Sequence, residues 1–200
     1  MYQRGAYQSC ATPGASRHVL TDGIEMRDVT SAFIKTLPAN RLTVIQVERL
    51  ENPTLRDMYE TKKRGMMQRD RVNDTLERLW LFHGTDEGSV SKIRVQGFNR
   101  SFCGKNATMY GKGAYFAVDS AYSAQHSYSK PNSSGEQLIF LCRVLVGEYC
   151  KGKEDACIPD ERQCHTLYDT TVDDVQNPTI FVTYHDAQAY PNYLVKFKLK

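Results

Sequence analysis

Apolar and polar positions alternate along this chain with a period that changes from stretch to stretch, and each change marks an element. Val44-Ile-Gln-Val47 alternates toward a strand. Asn52-Pro53 then pairs a side chain that caps helices with a first helical residue whose missing N–H costs nothing there. Leu55, Met58, Tyr59 and Met66 follow at near-helical spacing with charges between them, which predicts an amphipathic helix of roughly four turns with a core-packing stripe. After a polar connection, the apolar run Leu79-Trp80-Leu81-Phe82 reads as a strand that stops at a His83-Gly84-Thr85 turn. Thr85 or Asp86 can cap the next helix, in which Val90 and Ile93 face inward, and Gly97 ends it.

The second half of the chain is strand-rich. Phe98–Lys112 has no period and is full of Asn, Ser, Gly and Lys, as in the long loops that lie over sites as lids. Tyr115–Val118 is predicted as a short strand, Asp119–Tyr128 as a short helix and Lys130–Gly135 as a turn. Ile139–Val146 is apolar along most of its length, a central strand with both faces covered. A charged loop runs to Asn177, and the last two strands are Ile180–Tyr184 and Tyr193–Leu199. Many short strands with few helices, not in strict alternation, argue for an α+β domain. Residues 1–30, with their Gly, Ser, Thr, Pro and Gln, read as a flexible N-terminal tail or linker, leaving 31–200 as one domain without an internal repeat.

Composition narrows the function by exclusion. The chain is 40% hydrophobic and 24% charged, with a net charge of +3 that is scattered except at Lys62-Lys63-Arg64, so charge gives no reason to expect nucleic-acid binding. No apolar run approaches the ~18 residues of a membrane span, and the first residues lack a signal-peptide core. The expectation is an intracellular protein, cytoplasmic and/or nuclear, whose six cysteines are reduced thiols. Cys150, Cys157, Cys164 and His165 could supply zinc ligands, but without a Cys-x2-Cys knuckle they are expected to be loop residues, with no metal.

Candidate chemistry centres on Leu79–Tyr128. A strand ending in a polar residue followed by Gly brings a side chain and a bare backbone edge to one place. The chain has no Gly-x-Ser-x-Gly elbow, Walker loop, His-Glu-x-x-His or dinucleotide fingerprint, and a lone His83 is more often structural than catalytic. What gives His83 company is a set of motifs in order. Leu81-Phe-His-Gly-Thr85, Gly97-Phe-Asn-Arg100 and Tyr110-Gly-Lys-Gly-Ala-Tyr-Phe-Ala117 closely resemble the catalytic domain of the poly(ADP-ribose) polymerase superfamily, and within it the mono-ADP-ribosyltransferases. The resemblance extends from about Phe33 to Leu199.

That resemblance implies a diphtheria-toxin-like ADP-ribosyltransferase fold, two packed antiparallel or mixed sheets with flanking helices. It implies NAD as substrate, no metal, and transfer of one ADP-ribose to a protein side chain, the enzyme itself being a possible acceptor. By the same resemblance, the Gly84 backbone pairs with the nicotinamide carboxamide, Ser123 adds a hydroxyl to it, and Tyr128 stacks on the cationic ring. Tyr115 closes the other side of the pocket, and His83 holds a hydroxyl of the adenine-side ribose. Polymerising members carry a Glu where alignment through Gln188 places Ile180. Ile cannot accept a hydrogen bond from a ribose hydroxyl, so elongation is expected to be lost. Two alternatives stay open: a binding module without turnover, and a polymerase using Asp186 or Glu148 instead. Only Ala32–Leu79 separates the tail from the His83 strand, so the regulatory helical domain of DNA-activated members is expected to be absent, and with it direct activation by DNA.

Overall fold

The computed structural model describes residues 15–37, 39–71, 76–100, 108–163 and 165–199. In chain order its elements are β1 (Ser16–Leu20), α1 (Gly23–Ile34), β2 (Leu42–Glu51), α2 (Pro53–Asp70), β3 (Glu77–Thr85), α3 (Glu87–Gln96) and β4 (Ala114–Ala117). There follow a single turn α4 (Ser120–Ser123), β5 (Gln137–Leu145), β6 (Tyr149–Lys151), β7 (Glu161–Gln163), β8 (Thr166–Leu167), β9 (Thr170–Val172), β10 (Ile180–Thr183) and β11 (Ala189–Leu199).

The apolar run in β5 behaves as its composition requires. Leu138, Phe140, Cys142 and Val144 point into one apolar cluster and Ile139 and Leu141 into another, so the strand is buried on both faces. It lies in a nine-stranded sheet of order β1-β2-β11-β5-β3-β4-β10-β9-β6, with β7–β8 as a separate hairpin. Pairing is antiparallel except between β6 and β9. The expected two packed sheets are thus one hydrogen-bonded sheet, but a divided one. β3 and β4 are joined by a single residue pair, Phe82 with Ala117. On one side of that join stand β1, β2, β11, β5 and β3, and on the other β4, β10, β9 and β6.

Helix α2 begins where the sequence indicates. Asn52 Oδ1 accepts the Leu55 N–H at 3.2 Å, and its Nδ2 donates to the Arg94 carbonyl at 2.9 Å, tying the start of α2 to the end of α3. Asp86, of the two candidates, caps α3 by accepting the Ser89 N–H at 2.9 Å. Gly97 closes the helix at φ +72°, with its N–H on the Ile93 carbonyl at 2.9 Å.

Four expectations are corrected. Residues 16–30, placed in the tail, form β1 and the first two turns of α1: β1 pairs with β2 from Ser16–Glu51 to Leu20–Val47, and α1, which runs on to Ile34, buries Val29 and Phe33 one turn apart. The pattern hid them because every residue of β1 but Leu20 is exposed and α1 buries a stripe of only two side chains. His83-Gly84-Thr85 is the end of β3 rather than a turn after it. The helix expected over Asp119–Tyr128 is one turn long, and the charged loop up to Asn177 contains β6, β7, β8 and β9, all too short to show a period. The central part of the expected lid, residues 101–107, lies outside the described residues, but its ends are tied down. The Arg100 N–H donates to Asp186 at 3.2 Å, and the Lys112 N–H to the Ala156 carbonyl at 2.7 Å.

At the start of β3, Glu77 accepts hydrogen bonds from Arg143 Nε at 2.6 Å and the Tyr59 hydroxyl at 2.8 Å, and pairs with Lys63. Burial alone would raise the Glu77 pKa; the bonds from Arg143, Lys63 and Tyr59 overcome it and hold the carboxyl at about 2, against an ordinary 4.5. A depressed carboxylate stabilises the fold above its unfolded pKa and loses that contribution as pH falls through the folded value. Glu77→Gln is therefore expected to cost about 2 kcal/mol at pH 7. The gap between wild type and variant should close as pH drops from 4.5 toward about 2, measured as paired urea melts.

Candidate active site

The splaying of β3 from β4 opens a cleft of about 650 Å³, lined by His83, Gly84, Tyr115, Ser123, Tyr128 and Ile180 together. All six residues singled out in the sequence therefore meet in one place. Past the Phe82–Ala117 pair, a side chain makes the cross-strand contact: His83 Nδ1 lies 2.8 Å from the Tyr115 carbonyl oxygen. A carbonyl only accepts, so Nδ1 carries the proton and Nε2 is left as an acceptor. The ring is held edge-on by Phe98 at 4.9 Å and tilted against Phe116 at 5.5 Å. Burial pushes the His83 pKa down, opposed by the bond to Tyr115, and the imidazole is neutral at neutral pH.

Gly84 is required by space. A Cβ there would overlap the Ser123 carbonyl oxygen and come within 3.0 Å of the Tyr128 backbone and Cβ. The strand thus presses directly on the segment that carries Ser123 and Tyr128. Ser123 is buried and donates its hydroxyl to the Phe82 carbonyl at 3.0 Å, anchoring α4 to β3. Tyr115 is fixed through its hydroxyl, which donates to the Gly111 carbonyl at 2.8 Å and accepts the Tyr110 N–H at 3.0 Å. The Gly111-Lys-Gly113 turn therefore positions a ring. Gly111 takes φ +122°, and a Cβ on it would collide with the Tyr184 hydroxyl.

Ile180, at the start of β10, is 3% exposed and pairs with Ala117. Its N–H is held by Asp173 Oδ1 at 2.9 Å; Oδ2 of that carboxylate takes the Thr179 hydroxyl at 2.5 Å. The carboxylates that do line the cleft are at the α3 end: Asp86, with its oxygens on the Ser89 N–H and hydroxyl, and the exposed Glu87. Glu148 and Asp186 are not among the lining residues.

Sequence reasoning missed two parts of the wall. Ser89, Lys92, Ile93 and Gln96 of α3 line the cleft at i, i+3, i+4 and i+7, a stripe legible as a second helical face beside the buried Val90. Tyr122 also lines it, six residues before Tyr128, a spacing that signals nothing because α4 ends at Ser123. Of the candidate zinc ligands, Cys150 is half-buried on β6, Cys157 and His165 are exposed, and Cys164 lies outside the described residues. Among the described residues no three His, Cys, Asp or Glu side chains converge as a metal site.

Comparison with known proteins agrees with this geometry. The poly(ADP-ribose) polymerase catalytic domain family matches residues 24–153. The chain is 41% identical over 177 residues to human "Protein mono-ADP-ribosyltransferase PARP14", covering 87% of this chain and 10% of that protein. It is 40% identical to mouse "Protein mono-ADP-ribosyltransferase PARP10" over 87% of this chain and 18% of the relative. With mouse "Protein mono-ADP-ribosyltransferase PARP11" the identity is 33%, over 86% of this chain and 57% of the relative. The chain thus spans only part of the curated relatives it matches. With the matched segment running from α1 to the strand after β5, and the motif residues gathered in one cleft, the chain belongs to the poly(ADP-ribose) polymerase catalytic domain family and has its ADP-ribosyltransferase fold.

Proposed function

We propose that this chain is an NAD-dependent protein mono-ADP-ribosyltransferase, which moves one ADP-ribose from NAD to a protein side chain and releases nicotinamide. The observation that carries the reading is the meeting of His83, Gly84, Tyr115, Ser123, Tyr128 and Ile180 in one cleft; the absence of elongation rests on the motif alignment that gives Ile180 the place of the elongating members' carboxylate. The relatives named as mono-ADP-ribosyltransferases support it.

In this reading, Gly84 gives its bare backbone to the carboxamide, which needs both a donor and an acceptor. Ser123 Oγ, whose proton rests on Phe82, has lone pairs for the carboxamide N–H. Tyr115 and Tyr128 flank the ring, and neutral His83 accepts a ribose hydroxyl at Nε2. Breaking the nicotinamide–ribose bond sends its electron pair to the pyridinium nitrogen and leaves an oxocarbenium-like sugar, which a nucleophile on the target captures. The protein's task is mainly to hold leaving group and sugar in line and exclude water. An acceptor hydroxyl, by contrast, needs an oxygen to take its proton, and Ile180 has none.

Incubation of the chain with labelled NAD and separation on a gel tests this. One sharp labelled band is expected; a smear would favour a polymerase and no label a binding module. His83→Ala should lower labelling by about 100-fold, as loss of substrate alignment does. Tyr128→Ala should weaken benzamide, a neutral nicotinamide mimic, by roughly 1–3 kcal/mol in calorimetry. Gly84→Ala should cost about 1–3 kcal/mol of stability in urea melts, because the added methyl meets backbone and must displace α4.

A further inference from the structure

Tyr128 does not face the cleft alone. Tyr122 lies against it with ring centroids 5.0 Å apart and planes 22° from parallel, and the two hydroxyls are hydrogen-bonded at 2.8 Å. A pair stacked along its rings and tied at its phenolic ends cannot rotate either ring without breaking both contacts. Tyr128 needs such a tether. It lies in a turn past the end of α4, its N–H on the Gln125 carbonyl at 2.9 Å and its backbone and Cβ beside Gly84 of β3. Tyr115 across the cleft is held by its own turn through the bonds to Tyr110 and Gly111.

Tyr122 is otherwise a poor choice of residue for its position. It is 36% exposed and belongs to none of the apolar clusters among the described residues. A half-exposed aromatic that packs on one cleft tyrosine and bonds its hydroxyl has a local task rather than a share in the core. We infer that Tyr122 is a positioning residue: it covers one face of Tyr128 and so presents the opposite face, at a fixed tilt, to a planar amide-bearing ring such as nicotinamide. The inference rests on the nicotinamide-stacking role proposed above for Tyr128.

Calorimetric titration of the full chain with benzamide tests it in a double-mutant cycle. Tyr122→Leu should bind about 3- to 10-fold more weakly than wild type, the range expected for loss of one aromatic pair. Tyr122→Phe, which keeps the stack and loses the hydroxyl bond, should fall between the two. In a Tyr128→Ala background, Tyr122→Leu should cause no further loss, because the ring through which it acts is gone. Additive losses would mean that Tyr122 touches the ligand itself and would overturn the positioning role; so would wild-type affinity in a folded Tyr122→Leu. A wild-type chain that does not bind benzamide would remove the nicotinamide pocket itself, an outcome distinct from either.

Discussion

The hydrogen bond from His83 Nδ1 to the Tyr115 carbonyl spans the line along which the sheet divides, and it lies in the wall of the cleft. Strands β3 and β4 pair only at Phe82 and Ala117. Beyond that pair their backbones separate, and groups that would have bonded across the ladder need other partners. A histidine side chain reaches across and fills one such need, the Nδ1–H of His83 meeting the Tyr115 carbonyl. The same bond sets the tautomer, while burial, working against the bond, favours the neutral ring.

The rest of the structure holds the two lips of that gap in place. On the β3 side, Ser123 binds the Phe82 carbonyl, and Gly84 lets the α4 segment close against the strand. Asn52 ties α2 to the end of α3, whose Ser89, Lys92, Ile93 and Gln96 form another wall. On the β4 side, the Thr171 hydroxyl donates to the Tyr110 carbonyl at 2.6 Å and Thr108 Oγ1 to Asp155 at 2.6 Å, while Lys112 bonds the Ala156 backbone. The segment 147–177, which carries no motif, thus fixes the turn that fixes Tyr115. Buried Gln188 joins the two sides behind the cleft: its Nε2 donates to the carbonyls of Leu145 and Asp169, and its Oε1 accepts from the Tyr184 and His185 N–H groups.

How far the sequence could be read follows from where each element gets its stability. Helix α2 was legible because Asn52 and Pro53 act locally, and β5 because burial on both faces leaves a continuous apolar run. The strands β1 and β6 to β9 were not legible: β1 is exposed at all but one residue, and β6 to β9 are two or three residues long, too short for a period. The identities of His83, Gly84, Tyr115, Ser123, Tyr128 and Ile180 could be read from motifs, but the reasons they meet could not. The collision that makes Gly84 necessary lies about forty residues away in the chain, at Ser123 and Tyr128, and no spacing rule encodes a long-range contact of that kind. Tyr122 escaped for the same reason, its partnership with Tyr128 being a product of the turn between them.

Ile180, to which the proposed reading gives the position of the elongating members' carboxylate, is also a core residue. It packs with Ala117, Val182 and Tyr184 in a small apolar cluster that also takes in Tyr110 and Tyr115, so its side chain supports the very ring that lines the cleft. A carboxylate at this site would have to be desolvated beside those residues, at a cost that only aimed donors could offset. The acidic group bonded to the start of its strand, Asp173, has its oxygens committed to the backbone N–H groups of Thr179 and Ile180 and to the Thr179 hydroxyl. It holds the strand start and is not free to serve as a base. The apolar residue therefore does more than leave a catalytic group out. It completes the packing under Tyr115, so that on the proposed reading the loss of elongation and the rigidity of the nicotinamide pocket come from one side chain.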